Sequence, residues 1–154
     1  MTYKACINQL ETTCENAGKS AFVVKYVTVE LSGLSATDFY LQMNEDMPEA
    51  LVQKVHDVIH AYIEKDIPID YLLGYRYFYG YKFYVNEHVL IPRVETEELV
   101  DNILLLIQEK PELNIIDLGT GSGCIGLTIK KELPIHQLTL TDISVDALQL
   151  VNKN

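Results

Sequence analysis

The sequence has few basic side chains. Twelve Lys and Arg residues stand against 22 Asp and Glu residues, so the formal net charge of the 154-residue chain is -10. Such an excess of negative charge repels a phosphate backbone and offers no basic patch from which a nucleic acid could release counterions. We therefore expect no direct binding to nucleic acid, whereas a basic protein partner would be attracted.

Long apolar runs and paired cysteines are also absent. No stretch approaches the roughly 20 consecutive apolar residues that span a bilayer, and the first residues mix apolar with polar side chains instead of forming the core of a signal peptide. Cys6, Cys14 and Cys124 form no CxxC pair, so reduced thiols are expected and no disulfide framework is predicted. These absences predict a cytoplasmic protein with no membrane association.

The N-terminal part of the chain contains four helical patterns. The first has apolar residues at helical spacing and ends before Gly18. The second, AFVVKYVTVEL (21–31), has the β-branched composition of a strand, but its apolar residues mark one helical face and we predict a helix. Ser35 and Asp38 fit a capping box at the start of a short third helix. Pro48 suits the first turn of the fourth helix, whose apolar stripe consists of Leu51, Val55, Val58, Ile59 and Tyr62.

The residue pattern changes after EKDIPID (64–70). Aromatic residues then crowd around Gly74 and Gly80, which predicts short strands and a hairpin. A helix is predicted from Thr96, with acidic residues in its first turn and an apolar face at Leu99, Ile103 and Leu106. The segments LNIIDLG (113–119) and QLTLTD (137–142) have the composition of buried strands, one helix lies between them, and Ser144 can cap another. The order strand, helix, strand, helix predicts an α/β unit.

A glycine-rich loop joins the first of these strands to the next helix. Glycines are needed there because the chain must turn sharply and let a ligand approach the bare backbone, which a Cβ would obstruct. An acid ends the second strand, and its carboxylate can accept hydrogen bonds from both hydroxyls of a ribose. The pattern predicts a nucleoside-containing cofactor bound by Asp117, Gly119, Thr120, Gly121, Ser122, Gly123 and Asp142.

Two cofactors fit this loop. Gly121, Gly123 and Gly126 satisfy the GxGxxG pattern of dinucleotide folds, so an NAD(P)-dependent oxidoreductase is an open alternative. S-adenosylmethionine (SAM) is favoured because the glycines begin one step earlier, at Gly119, just after Asp117. A carboxylate attracts the cationic sulfonium and ammonium groups of SAM, whereas it would repel a diphosphate.

Three segments carry a resemblance to a known family. The run YLLGYRYFYGYKFYVNEHVLIPRVETEELVDNIL (71–104), followed by IIDLGTGSGCIGLTI (115–129) and LTDISVDAL (140–148), resembles the release-factor glutamine N(5)-methyltransferases, the HemK/PrmC family. The block IPRVETEE is the more specific signal, because DLGTGSG occurs across many class I methyltransferases. The resemblance implies an α/β protein with an N-terminal helical substrate-recognition domain (1–67), a β-hairpin linker (68–92) and the N-terminal half of a Rossmann-like class I SAM-dependent methyltransferase domain (93–154).

The resemblance also implies an activity. Family members use SAM to methylate the side-chain amide of the glutamine in the GGQ motif of peptide-chain release factors, so release factors are the expected partners. Pro92, Arg93, Glu95 and Thr96 are expected to border the pocket near the transferred methyl group. An equally weighted alternative is that Arg93 and Glu95 form a salt bridge while Thr96 caps the following helix. A non-enzymatic module that binds release factors is a further alternative.

One expected motif is missing. The family's catalytic asparagine-proline-proline-tyrosine loop (NPPY) has no counterpart in these residues, so no catalytic residue is assigned. The sequence therefore predicts a truncated methyltransferase that is inactive alone. Because the strands LNIIDLG and QLTLTD are built for burial on both faces, we expect exposed apolar surface and a tendency to self-associate.

The segment HDVIH (56–60) resembles the HExxH motif of zinc proteases. Both histidines would share one helix face, but Asp57 is one methylene shorter than the usual Glu base, and no third ligand is evident beyond Glu64. We therefore predict solvated helix histidines and no metal site.

Overall fold

The structure is a computed structural model that describes residues 1–154. The chain divides into two compact units, Met1–Leu73 and Gly74–Asn154. Helices alone form the first unit, whereas the second contains helices and two small β-sheets. No helix combines the length and the apolar character needed to cross a membrane.

The first unit is a helical bundle. Its elements are α1 (Tyr3–Asn16), α2 (Phe22–Ser32), α3 (Ala36–Leu41), α4 (Glu49–Lys65) and α5 (Ile69–Leu73). The four predicted helices are confirmed, including the β-branched segment that forms α2. Tertiary packing overrides strand propensity there, because Val24 and Val27 are fully buried in the bundle core with Val55 and Ile59 of α4.

The predicted helix starts differ in detail from those observed. The Ser35 hydroxyl accepts a hydrogen bond from the Asp38 amide at 3.1 Å, as a capping box requires. The Asp38 carboxylate, however, accepts from that same hydroxyl at 2.6 Å instead of from the Ser35 amide. Pro48 stands at the cap position before α4 and not in its first turn. The predicted stripe of α4 is confirmed, because its members are buried or half-buried in the core of the bundle.

The second unit begins with the predicted hairpin. Strands β1 (Tyr75–Phe78) and β2 (Tyr81–Tyr84) pair antiparallel and are joined by Tyr79 and Gly80. Both turn residues have positive φ, 52° and 75°, which matches the twist of a two-residue hairpin. Phe78 and Phe83 are buried with ring centroids 6.1 Å apart. Both rings belong to the core of the second unit, so the hairpin expected as a linker packs within that unit.

Helix α6 (Glu95–Ile107) differs from the prediction in its N-cap and in part of its buried face. Its N-cap is Val94, so Thr96 lies inside the helix and the prediction that Thr96 caps it is wrong. Val100 is fully buried, whereas Leu99 and Leu106 are 48% and 72% exposed. Of the predicted stripe, only Ile103 packs against the core, where Leu104 and Ile107 join it. The prediction is therefore right for Ile103 and wrong for Leu99 and Leu106.

The remaining elements form a parallel βαβ arrangement. They are β3 (Asn114–Leu118), α7 (Cys124–Glu132), β4 (Gln137–Thr141) and α8 (Val145–Val151). The strands pair in register from Asn114 opposite Gln137 to Leu118 opposite Thr141. The predicted order strand, helix, strand, helix is confirmed. Because the carboxyl ends of parallel strands lie side by side, the loop after β3 comes next to Asp142 after β4.

Strand β3 is uncovered along one edge and on one face. The edge is open because the sheet has only two strands, so β3 has a single neighbour, β4. Ile116 and Leu118 are 61% and 78% exposed, and they border a cleft of about 360 Å³ together with Leu99 and Ile103 of α6. The predicted exposure of apolar surface is confirmed. The cleft also explains why α6 has apolar residues on two sides, since one side faces the core and the other faces the cleft.

Candidate cofactor site

The backbone of the glycine-rich loop requires glycine at three positions. Gly119, Gly121 and Gly123 have φ values of 70°, 55° and 79°, in the left-handed region that residues with a Cβ rarely adopt. A Cβ built on Gly119 or Gly121 would meet no atom within 4 Å, so this part of the loop borders open space. A Cβ on Gly123 would come within 2.9 Å of Leu127. The first two glycines therefore leave open space beside their backbone, and the third permits close packing against Leu127.

The loop is anchored to the end of β4. The amides of Gly119 and Thr120 both donate to the Thr141 carbonyl, at 2.8 and 2.9 Å. The Thr141 hydroxyl donates in return to the Asp117 carbonyl at 3.2 Å. These hydrogen bonds extend the pairing of β3 and β4 beyond the last residues of the two strands. They therefore fix the position at which the loop begins.

Asp142 holds the middle of the loop. Its Oδ2 accepts from the Gly121 amide and its Oδ1 accepts from the Ser144 amide, both at 2.9 Å. Hydrogen bonds from the Ser144 and Gly121 amides lower the pKa of the Asp142 carboxyl, so it is ionised at neutral pH. A carboxylate has about four lone-pair sites. Asp142 can therefore accept further hydrogen bonds while it holds the loop.

Asp117 fastens the loop and helix α7 to β3. Its Oδ2 accepts from the Thr120 hydroxyl at 2.9 Å and from the Gly126 amide at 3.1 Å. A Cβ on Gly126 would lie 2.8 Å from this oxygen and 2.6 Å from Leu140 Cδ2. From the sequence, Asp117 was expected only to attract a cationic cofactor. The spacing to Gly126 was the available signal for this second role, because the third glycine of such loops allows close packing of helix on strand.

The side chains of Thr120 and Ser122 point into the protein. They are 7% and 2% exposed. The Thr120 hydroxyl donates to Asp117 and the Ser122 side chain is almost fully buried, so both residues present their backbone to a ligand. Burial raises the pKa of the Cys124 thiol, which disfavours the thiolate and a nucleophilic role.

The four residues predicted to border a substrate pocket lie before and at the start of α6. Pro92 is buried, Thr96 is half-buried, and Arg93 and Glu95 are exposed. Arg93 and Glu95 form no salt bridge with each other, so that alternative is wrong. No hydrogen bond joins these residues to the glycine-rich loop, and their predicted role stays a prediction.

Glu97 makes a contact that was not predicted from the sequence. Its Oε1 accepts from the Tyr79 amide at 2.8 Å, and the Tyr79 hydroxyl donates to Asp101 at 2.6 Å. The hydrogen bond to Asp101 raises the pKa of Tyr79 to about 12. The acidic residues after IPRV thus attach α6 to the turn of the hairpin. Nothing in the aromatic sequence of the hairpin indicated that Tyr79 would pair with α6.

The histidines of HDVIH lie in the first unit, on α4. The rings of His56 and His60 are 6.2 Å apart, and His60 Nδ1 is 3.6 Å from Glu64 Oε1. No group of three His, Cys, Asp or Glu side chains is arranged to hold a metal ion.

Comparison with known proteins identifies the family. Residues 98–154 match the family model of the methyltransferase small domain. The release factor glutamine methyltransferase of Enterococcus faecalis is 37% identical over 152 residues, which cover 99% of this chain and 54% of that protein. The protein of the same name from Staphylococcus aureus is 31% identical over 154 residues, which cover 100% of this chain and 54% of that protein. The chain belongs to the HemK/PrmC methyltransferase family.

A third family member shares a shorter segment. The release factor glutamine methyltransferase of Flavobacterium psychrophilum is 46% identical over 95 residues, or 60% of this chain and 33% of that protein. The chain spans about half the length of the first two relatives, 54% of each. The predicted family and the predicted α/β fold class, with a helical bundle, a hairpin and part of a Rossmann-like domain, are both confirmed.

Proposed function

We propose that this HemK/PrmC family member binds SAM at the glycine-rich loop and contributes to the methylation of a glutamine side-chain amide in peptide-chain release factors. The observation that carries the cofactor assignment is the junction of Gly121 and Asp142, where an ionised carboxylate holds a half-buried glycine that borders open space. The names of the relatives support the substrate class, because release factor glutamine methyltransferases match this chain over nearly all its residues.

The residues present fit SAM better than a dinucleotide. The Asp142 carboxylate would accept the two ribose hydroxyls, and the open space beside Gly119 and Gly121 would admit the ligand against the backbone. Residues 114–129 contain no Lys or Arg that could offset the charge of a diphosphate. Asp117 and Asp142 give the site a negative character that suits a cation.

The residues of this chain would bind and orient the reactants. SAM, when bound, supplies an electrophilic methyl group. Transfer to an amide nitrogen requires the reacting atoms to be aligned at about 3–3.5 Å. The loop is anchored by hydrogen bonds to Thr141, Asp117 and Asp142, and these anchors would fix the position of the cofactor. Pro92, Arg93, Glu95 and Thr96 would border the glutamine of the release factor, and no residue of this chain is assigned a catalytic role.

Calorimetric titration tests the cofactor assignment. We expect SAM and S-adenosylhomocysteine to bind, and Asp142→Asn to weaken both by about tenfold or more, since it places an NH2 group against a backbone N–H. Asp146→Asn is the matched control, because it makes the same charge change in the first turn of α8. Binding of NADH without binding of SAM, or equal affinities for the two variants, would contradict the assignment.

Binding of a release factor tests the partner. The whole chain, immobilised, is expected to retain a purified release factor and not a basic protein of similar size, such as lysozyme. Equal retention of both proteins would indicate that the net charge of -10 alone drives the association and would overturn the partner assignment.

A further inference from the structure

The side chain of Asn154 bridges two parts of the second unit. Its Oδ1 accepts from the Tyr84 amide at 2.6 Å, and its Nδ2 donates to the Tyr84 carbonyl at 3.1 Å. The same Nδ2 donates to the Ser122 carbonyl at 2.8 Å. Both amide hydrogens are therefore used. One end of the bridge is strand β2, and the other is the glycine-rich loop.

Helix α8 therefore has, at each of its ends, a residue that is hydrogen-bonded to the glycine-rich loop. Before the helix, Asp142 accepts from the Gly121 amide; after it, Asn154 donates to the Ser122 carbonyl. Gly121 and Gly123, on either side of Ser122, are both in the left-handed region. Because glycine has the greatest backbone freedom, the peptide groups around Ser122 depend on such external bonds for a fixed orientation.

We propose that Asn154 is a positioning residue for the cofactor loop. By holding the Ser122 carbonyl it keeps the backbone of residues 121–123 in the shape that receives the cofactor, and it makes that shape depend on β2. The inference rests on the proposed function, since it concerns the same site. A primary amide is required because it offers an acceptor and two donors from one short side chain, whereas Asp offers acceptors only.

Hydrogen exchange of the cofactor-free chain separates the two ends of the bridge. In Asn154→Asp, we expect the Gly121 and Gly123 amides to exchange about tenfold faster while the Tyr84 amide keeps its protection. The carboxylate still accepts from the Tyr84 amide, although it loses the bond to the Tyr84 carbonyl, whereas at the loop it loses its only contact and repels the Ser122 carbonyl. In Asn154→Ala, all three amides should exchange faster. Asn152→Asp is the matched control, since Asn152 is exposed and lies at the same end of α8. Equal loop exchange in Asn154→Asp and Asn152→Asp would overturn the proposal.

Calorimetry gives the second readout. Asn154→Asp should bind SAM about tenfold more weakly than Asn152→Asp, while the two melting temperatures stay within a few degrees. A lower melting temperature with unchanged SAM affinity would assign Asn154 a purely structural role and overturn the proposal. If the wild-type chain binds no SAM, the proposed function fails, and the exchange pattern still decides whether Asn154 holds the loop.

Discussion

Gly126 lies where helix α7 packs closely against strand β3. An alanine there would place its Cβ 2.8 Å from Asp117 Oδ2 and 2.6 Å from Leu140 Cδ2. We expect Gly126→Ala to lower the free energy of unfolding by about 1–3 kcal/mol, because Asp117 would have to leave its partners. Helix propensity alone predicts that the substitution raises the free energy of unfolding by about 1 kcal/mol. The sign of the measured change therefore distinguishes the steric effect from the propensity effect. Urea denaturation measures it, and a variant as stable as the wild type would show that the neighbours adjust freely.

Tyr79 gives the stability a dependence on alkaline pH. Its pKa rises from 10.0 to about 12 because its hydroxyl donates to Asp101. Between these values the unfolded chain has released the phenolic proton and the folded chain retains it, so stability falls as pH rises. The stabilisation relative to Tyr79→Phe should be fully present below pH 10 and disappear towards pH 12. Melting temperatures across this range measure it. Tyr77→Phe, which removes an exposed phenol from β1, should show no such loss.

At the scale of residues, local motifs were predictable and distant partners were not. Asp117, Asp142 and the loop glycines stand in one recognisable order along the chain, and the structure brings them together. Glu97 and Asn154 bind partners 18 and 70 residues away in sequence. Nothing local marks such pairs, because their geometry depends on how the elements pack.

At the scale of elements, the first turn of α6 holds the hairpin. Glu97→Ala should lower the free energy of unfolding by about 1–2 kcal/mol, because it leaves the Tyr79 amide at a positive-φ turn without its charged acceptor. Glu98→Ala is the matched control, because it removes the same charge from an exposed neighbour in the same turn. Thermal unfolding of both variants measures the difference. Equal losses would indicate that helix-dipole interactions, and not the contact with the turn, account for the effect.

Periodicity in the sequence predicted which segments are helices and which are strands, but it did not always predict which face of an element is buried. In α2 the helical spacing of Val24 and Val27 predicted the structure correctly against β-branched composition. In α6 apolar residues occur on two faces, and the sequence alone cannot say which face meets the core. The short α5 was not predicted, since five residues give too few positions to define a period.

At the scale of the whole molecule, the uncovered face of β3 is the expected site of self-association. Leu118 is 78% exposed on this face, and Leu105 is 67% exposed on α6 outside the cleft. We expect the chain to form concentration-dependent oligomers and Leu118→Lys to reduce them, while Leu105→Lys does not. Light scattering after size-exclusion chromatography measures the mass. A monomeric wild-type chain at all concentrations would contradict this prediction.

The packing of the hairpin was less predictable than the change of composition that precedes it. The change to aromatic residues after EKDIPID suggested a separate linker, yet Phe78 and Phe83 belong to the same core as Val100 and Cys124. The aromatic density indicates strands correctly, but it does not indicate which residues the rings contact. That information lies in the packing of α6 and α7, which follow later in the chain.

The carboxamide of Asn154 also has a consequence for the border of the hairpin. It occupies the backbone N–H and C=O of Tyr84 on the side of β2 away from β1, as an additional strand would. A foreign peptide that approached this side would find both groups already satisfied. The last residue of β2 is thus unavailable for the intermolecular strand pairing that leads to fibres, because a single side chain already occupies its backbone groups.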